Sequence, residues 1–149
     1  MKAAVSEAIA EEEIQNAIAL GLFDDGFRLE RWKYPILIAD VASVKQPLRF
    51  LLRFDFTDYD EYAVQLRLID GDGAEIFSPF PLRNGGVFPD HQPAALPQFF
   101  CINGTRDYYT HQGHIPRVSG ETWEAHRAPL PARAVIAEVR RKFTSGEWT

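Results

Sequence analysis

Two stretches of this chain alternate with a period of two, and that pattern fits a sheet with one buried face far better than any helix. In the first, Leu48, Phe50, Leu52, Phe54 and Phe56 fall on one side, while Arg49, Arg53 and Asp55 fall on the other. In the second, Tyr62, Val64, Leu66 and Leu68 oppose Ala63, Gln65 and Arg67. Asp58, Tyr59 and Asp60 are placed to join the two strands. Asp70-Gly71-Asp72-Gly73 is a turn signal that predicts a further strand over residues 74–77. An earlier strand is expected within residues 34–42. The sum is an antiparallel four-stranded meander.

Helices flank this meander. Residues 5–20 read as an amphipathic helix whose apolar stripe is Val5, Ile9, Ile14, Ile18 and Leu22, with the glutamates mostly opposite. Gly21 is a C-terminal stop, and Asp24-Asp25-Gly26 is a turn. Residues 131–143 read as a second helix: Pro131 suits its first turn, Val135, Ile136, Val139 and Phe143 form a stripe, and Arg140, Arg141 and Lys142 suit the negative end of the dipole. Between sheet and second helix, five of the ten prolines fall at residues 79–97, together with Gly85 and Gly86. Such a stretch is no regular helix and a poor central strand. It reads as a long ordered loop crossing the sheet, with residues 98–102 as a short extended piece delivering Cys101. The fold class is α+β, with all 149 residues in one domain.

Charge narrows the function. Sixteen basic against 21 acidic residues give a net charge of −5, the wrong sign for nucleic acid or anionic membranes. No apolar run is long enough to span a bilayer, and Glu11, Glu12 and Glu13 interrupt what a signal peptide would keep apolar. A cytoplasmic protein is expected, and the single cysteine agrees with a reducing compartment. The acidic triplet reads as a solvated helix face.

Cys101 stands in the run Phe99-Phe100-Cys101-Ile102-Asn103-Gly104-Thr105-Arg106-Asp107-Tyr108-Tyr109-Thr110-His111-Gln112-Gly113-His114. A lone cysteine forms no internal disulfide, which leaves three roles: nucleophile, metal ligand or small buried hydrophobe. As a nucleophile it has helpers in sequence. Asn103 can donate to a developing oxyanion, Gly104 lets backbone approach an acyl partner, and His111, His114 or Asp107 can assist proton transfer. As a zinc ligand it would join His111, His114 and His126, with Glu121 or Glu124 adding a carboxylate. No CxxC or HExxH spacing marks such a site. As a hydrophobe it would pack with Phe99, Phe100 and Ile102. Tyr108, Tyr109 and Trp123 read as packing.

The element order and length resemble the ubiquitin-conjugating-enzyme fold. More specifically, the run from Phe99 to His114, followed by Ser119-Gly120-Glu121-Thr122-Trp123-Glu124-Ala125-His126-Arg127, resembles a bacterial family named for Cys, Glu, His and His positions and once labelled predicted metal-binding. Members occur in operons with a ubiquitin-like protein, an activating enzyme and a deubiquitinase-like peptidase, linked to antiphage defence. The resemblance implies a transferase that accepts a ubiquitin-like protein from its activating enzyme as a thioester on Cys101 and passes it to a target protein's amine. It needs no cofactor, nucleic acid or membrane. The candidates for the other named positions are His111, His114 and His126, with Glu121 or Glu124. Eukaryotic conjugating enzymes carry His-Pro-Asn before the cysteine, whereas this chain has Asp90-His91-Gln92-Pro93. Asn103 or a backbone N–H would then support the oxyanion. His126, beside Trp123 and Glu124, is expected to orient the loop. The alternative is a non-catalytic zinc module built on Cys101, His111, His114, His126 and Glu124.

Overall fold

A computed structural model of the chain describes residues 2–42, 49–76, 100, 102–110 and 122–145. The Pro-rich stretch at 79–97, most of the extended piece at 98–102, and Cys101, His91, His111, His114 and Glu121 lie outside the described residues.

The architecture is α+β. Helix α1 (Ala3–Ala19) precedes strands β1 (Phe27–Lys33), β2 (Ile36–Ala42), β3 (Arg49–Asp55) and β4 (Gln65–Ile69). Two short helices follow, α2 (Arg106–Thr110) and α3 (Trp123–His126), and then α4 (Ala132–Ser145). The strands form one antiparallel meander in the order β1-β2-β3-β4. No helix among the described residues is long and apolar enough to cross a membrane.

The alternation sets the register. Leu37 pairs with Phe54, Ala39 with Leu52, Phe54 with Leu66, and Leu52 with Leu68, so one face carries all these apolar side chains. All six are buried, and Val135, Ile136, Val139 and Phe143 of α4 join them in a single core cluster. The opposite face carries charge. Arg53 and Arg67 sit directly across from one another, a repulsive pairing in an antiparallel ladder. Glu75 offsets it by accepting from Arg53 at 2.6 Å and lying 3.8 Å from Arg67.

Four details differ from the sequence reading. β1 is an additional strand at Phe27–Lys33. The expected strand at 74–77 reduces, within the described residues, to a single bridge between Ile69 and Glu75. Tyr62 is exposed rather than core-facing: the chain turns there, with the Tyr62 N–H donating to the Asp58 carbonyl at 2.9 Å, and β4 starts only at Gln65. In α1 the buried face is Ser6, Ala10, Ile14 and Ala17, while Val5 and Ile18 are exposed. Three of those four side chains are small, which lets the helix lie close against the rest of the core. The glutamates next to this face do more than face water. Glu13 accepts from the backbone and the side chain of Arg133 on α4, and Glu11 accepts from the Trp32 indole on β1 at 2.7 Å.

Gly21 ends α1 at φ +70°, as its place after the last apolar position predicts. Asp24 Oδ1 accepts from the N–H groups of Gly26 and Phe27, which makes the predicted turn into β1. Its other oxygen accepts from Arg140 on α4. That guanidinium holds the Asp24 carboxyl below the usual carboxylate range, with the turn N–H groups adding to the effect.

Candidate functional site

The nine residues after Cys101 begin with a tight turn. The Thr105 N–H donates to the Ile102 carbonyl at 3.2 Å, and the Thr105 hydroxyl donates to the same carbonyl at 2.7 Å. Gly104 occupies the third position at φ +93°, the place where a type II turn needs a residue without a Cβ. Phe100 and Ile102, on either side of Cys101 in the chain, are both fully buried. Gly104 is buried as well, and a Cβ there would lie 2.5 Å from Val135 Cγ2. The expected role of Gly104, giving an acyl partner access to the backbone, therefore does not hold. Its missing side chain makes room for α4.

The turn runs directly into α2, which is clamped to the start of β4. The Arg106 N–H donates to the Val64 carbonyl at 2.8 Å, and its guanidinium reaches the carbonyls of Ala63 and Thr57 at 3.1 and 3.0 Å. The same guanidinium lies 5.7 Å from the centroid of the Tyr62 ring. Asp107 is buried, and Arg67 donates to its Oδ2 at 2.5 Å. This corrects the reading of Asp107 as a proton-transfer helper: its carboxylate is committed to an ion pair that anchors α2.

The third piece is α3, one turn of helix capped by the Thr122 hydroxyl, which accepts from the Ala125 N–H. Trp123 and His126 are three apart and so project from the same side. Trp123 is buried and donates its indole N–H to the Asp60 carbonyl at 2.8 Å, which fixes α3 to the loop ahead of β4. That placement brings His126 to the turn after Cys101. Asn103 Oδ1 lies 2.7 Å from the Tyr109 hydroxyl and 2.9 Å from His126 Nδ1, and the two latter atoms are 2.9 Å apart. The Gly104 N–H donates to the Tyr109 oxygen at 3.2 Å. Polar atoms of three side chains from two segments thus meet in a ring of close contacts, with Asn103 exposed and Tyr109 and His126 half-buried.

Tyr109 packs as its sequence context predicts, with ring centroids 5.8 Å from Trp123 and 5.7 Å from His126. Its hydroxyl is the part the sequence did not reveal. Burial pushes the phenol up to about 12, against a smaller opposing effect of the Gly104 N–H. Tyr109 therefore remains a hydrogen-bond donor throughout the neutral range. The folded-state value lies above the ordinary 10.0 of an unfolded tyrosine, so this contribution to stability is complete below pH 10 and is lost as pH rises through about 12. Alkaline titration of phenolate absorbance in wild type and Tyr109→Phe should show one tyrosine with a midpoint at about 12 missing from the variant. A difference spectrum centred near pH 10 would contradict the burial argument.

Beside this ring a cleft of about 360 Å³ opens between α2, α3 and the loop before β4, lined by Tyr62, Ala63, Arg106, Tyr109, Trp123 and Glu124 among others. It is the size of a side chain or a short extended segment.

Of the sequence-predicted site residues, the structure brings together Asn103 and His126. Glu124 lines the cleft. Cys101, His111 and His114 lie outside the described residues. For the zinc set, His126 has its Nδ1 engaged, and among the described residues no three His, Cys, Asp or Glu side chains converge as a metal would need. No protein-family model matches the chain, and no curated protein matches it in sequence.

Proposed function

We propose that the protein is a ubiquitin-conjugating-like transferase acting in the cytoplasm in antiphage defence. Its partners are a ubiquitin-like protein, that protein's activating enzyme and a target protein. The observation that carries this reading is the ring of Asn103, Tyr109 and His126, held two residues beyond the chain's single cysteine. The element order supports it: an N-terminal helix, an antiparallel meander, the cysteine segment and a helix packed on the sheet resemble the ubiquitin-conjugating-enzyme fold.

In the first step the Cys101 thiolate attacks the carbonyl of the thioester on the activating enzyme. A new C–S bond forms to Cys101, and the activating enzyme's thiolate leaves. In the second step an amine of the target attacks that carbonyl. The C–S bond to Cys101 breaks, its thiolate leaves, and the amine proton passes to a base, for which His111 and His114 are the candidates. Both steps place negative charge on the carbonyl oxygen. A fixed donor near that oxygen lowers both barriers, and Asn103 supplies it in place of the asparagine that is missing from the Asp90-His91-Gln92-Pro93 stretch.

The test is a pulse-chase. Incubation with a cognate activating enzyme, ubiquitin-like protein and ATP should give an adduct that a thiol reductant removes, and that a lysine amine discharges after the ATP is exhausted. Cys101→Ala should give none. An adduct of the same lability on Cys101→Ala would end the proposal.

A further inference from the structure

We infer that His126 is held as the Nδ1–H form and, together with Tyr109, positions the Asn103 carboxamide with Oδ1 inward and Nδ2 outward. Donor and acceptor counts in the ring lead there. Asn103 Oδ1 has two lone pairs and two neighbours within 2.9 Å. If His126 Nδ1 carried no proton, two lone-pair atoms would face one another at 2.9 Å across a half-buried contact, with nothing to offset the repulsion. Turned around, the amide would donate from Nδ2 to Nδ1 and to the Tyr109 oxygen, but the half-buried Tyr109 hydroxyl proton would then have no acceptor in the ring, and Oδ1 would lose both donors.

With Nδ1–H every donor and acceptor that faces into the ring is satisfied. The Gly104 N–H donates to the Tyr109 oxygen, the Tyr109 hydroxyl donates to Oδ1, and His126 Nδ1–H donates to Oδ1. The raised Tyr109 pKa preserves its proton for this bond. Asn103 Nδ2 then has no acceptor among the described residues, and it sits on an exposed side chain whose rotation is fixed at its oxygen end. The imidazolium also carries a proton on Nδ1, so charging His126 leaves the ring intact. Only the Nε2–H tautomer breaks it. The tautomer is set by the bond that Nδ1 makes.

The catalytic use of this arrangement rests on the proposed thioester at Cys101: Nδ2 is the donor to its oxyanion, and Tyr109 and His126 are positioning residues for Asn103. The geometry itself does not depend on that reading, and the experiment separates the two. Nitrogen-15 histidine spectra of the folded wild-type chain should show the neutral His126 ring protonated at Nδ1, whether or not the protein transfers anything. An Nε2–H signal overturns the inference. The second arm compares His126→Asn with His126→Leu in single-turnover discharge of the charged protein. Asn places an amide N–H₂ where Nδ1 was and should retain discharge within about threefold of wild type, whereas Leu should slow it roughly tenfold or more. Equal loss in both variants, at equal thermal stability, overturns the positioning role. If wild type never charges, the thioester reading fails while the spectra still decide the tautomer.

Discussion

Gly104→Ala should lower the thermal midpoint by roughly 5–15 °C, a large shift for one added methyl group. Two costs combine. An alanine at φ +93° sits in left-handed backbone, which costs on the order of 1–3 kcal/mol. Its Cβ also meets Val135 Cγ2 at 2.5 Å, and overpacking of a core contact costs on the order of 1–3 kcal/mol more. The two are separable. Val135→Ala removes the methyl group that is struck but not the backbone cost, so Gly104→Ala/Val135→Ala should lose less than the sum of the single variants. A strictly additive pair would show that α4 does not rest on this turn. The result matters for function because Gly104 adjoins Asn103 and donates its N–H to Tyr109. Displacing the turn displaces the ring.

Asn103→Ala should slow discharge of the charged protein by about 10²–10³-fold, the usual loss when one oxyanion donor is removed. Asn103→Asp is the sharper variant. Aspartate keeps an oxygen for the Tyr109 and His126 donors, and so keeps the ring, but presents a second oxygen where Nδ2 was. Its thermal midpoint should stay near wild type while its discharge rate falls at least as far as that of the alanine variant. Wild-type discharge by Asn103→Asp would mean that the outward-facing amide does no chemistry. Charging from the activating enzyme passes through an oxyanion of the same kind, so the variant should slow that step as well.

The strands that alternate without interruption were legible in the sequence. β3 and β4 show it best, because Leu52, Phe54, Leu66 and Leu68 sit where a period of two puts them. β1 was hidden by its own irregularity. Phe27 and Leu29 face the core, a bulge between Leu29 and Arg31 then shifts the phase, and Trp32 takes the next inward place. A strict alternation test fails across that extra residue. The buried face of α1 is hard to read from the sequence because two of its larger apolar side chains, Val5 and Ile18, are exposed. The helix docks through Ser6, Ala10 and Ala17, where closeness counts for more than bulk. For the site, the residue types of Asn103 and His126 were readable, while the histidine loop that His126 is expected to orient lies outside the described residues. The role of the Tyr109 hydroxyl was not readable. It depends on α3 returning to the turn, through the Trp123 bond to Asp60, and that contact spans 63 positions of sequence.

In the proposed function Cys101 carries the modifier. Because the chain has a single cysteine, a thiol-labile bond can form at no other side chain. The direct measurement is the intact mass of the protein after incubation with a charged activating enzyme, before and after a thiol reductant. The mass should increase by that of the ubiquitin-like protein less one water and return to the free-chain value with reductant, and in Cys101→Ser the thioester should be replaced by an adduct that reductant leaves in place. A free-chain mass throughout, with the activating enzyme fully charged, would contradict the proposal.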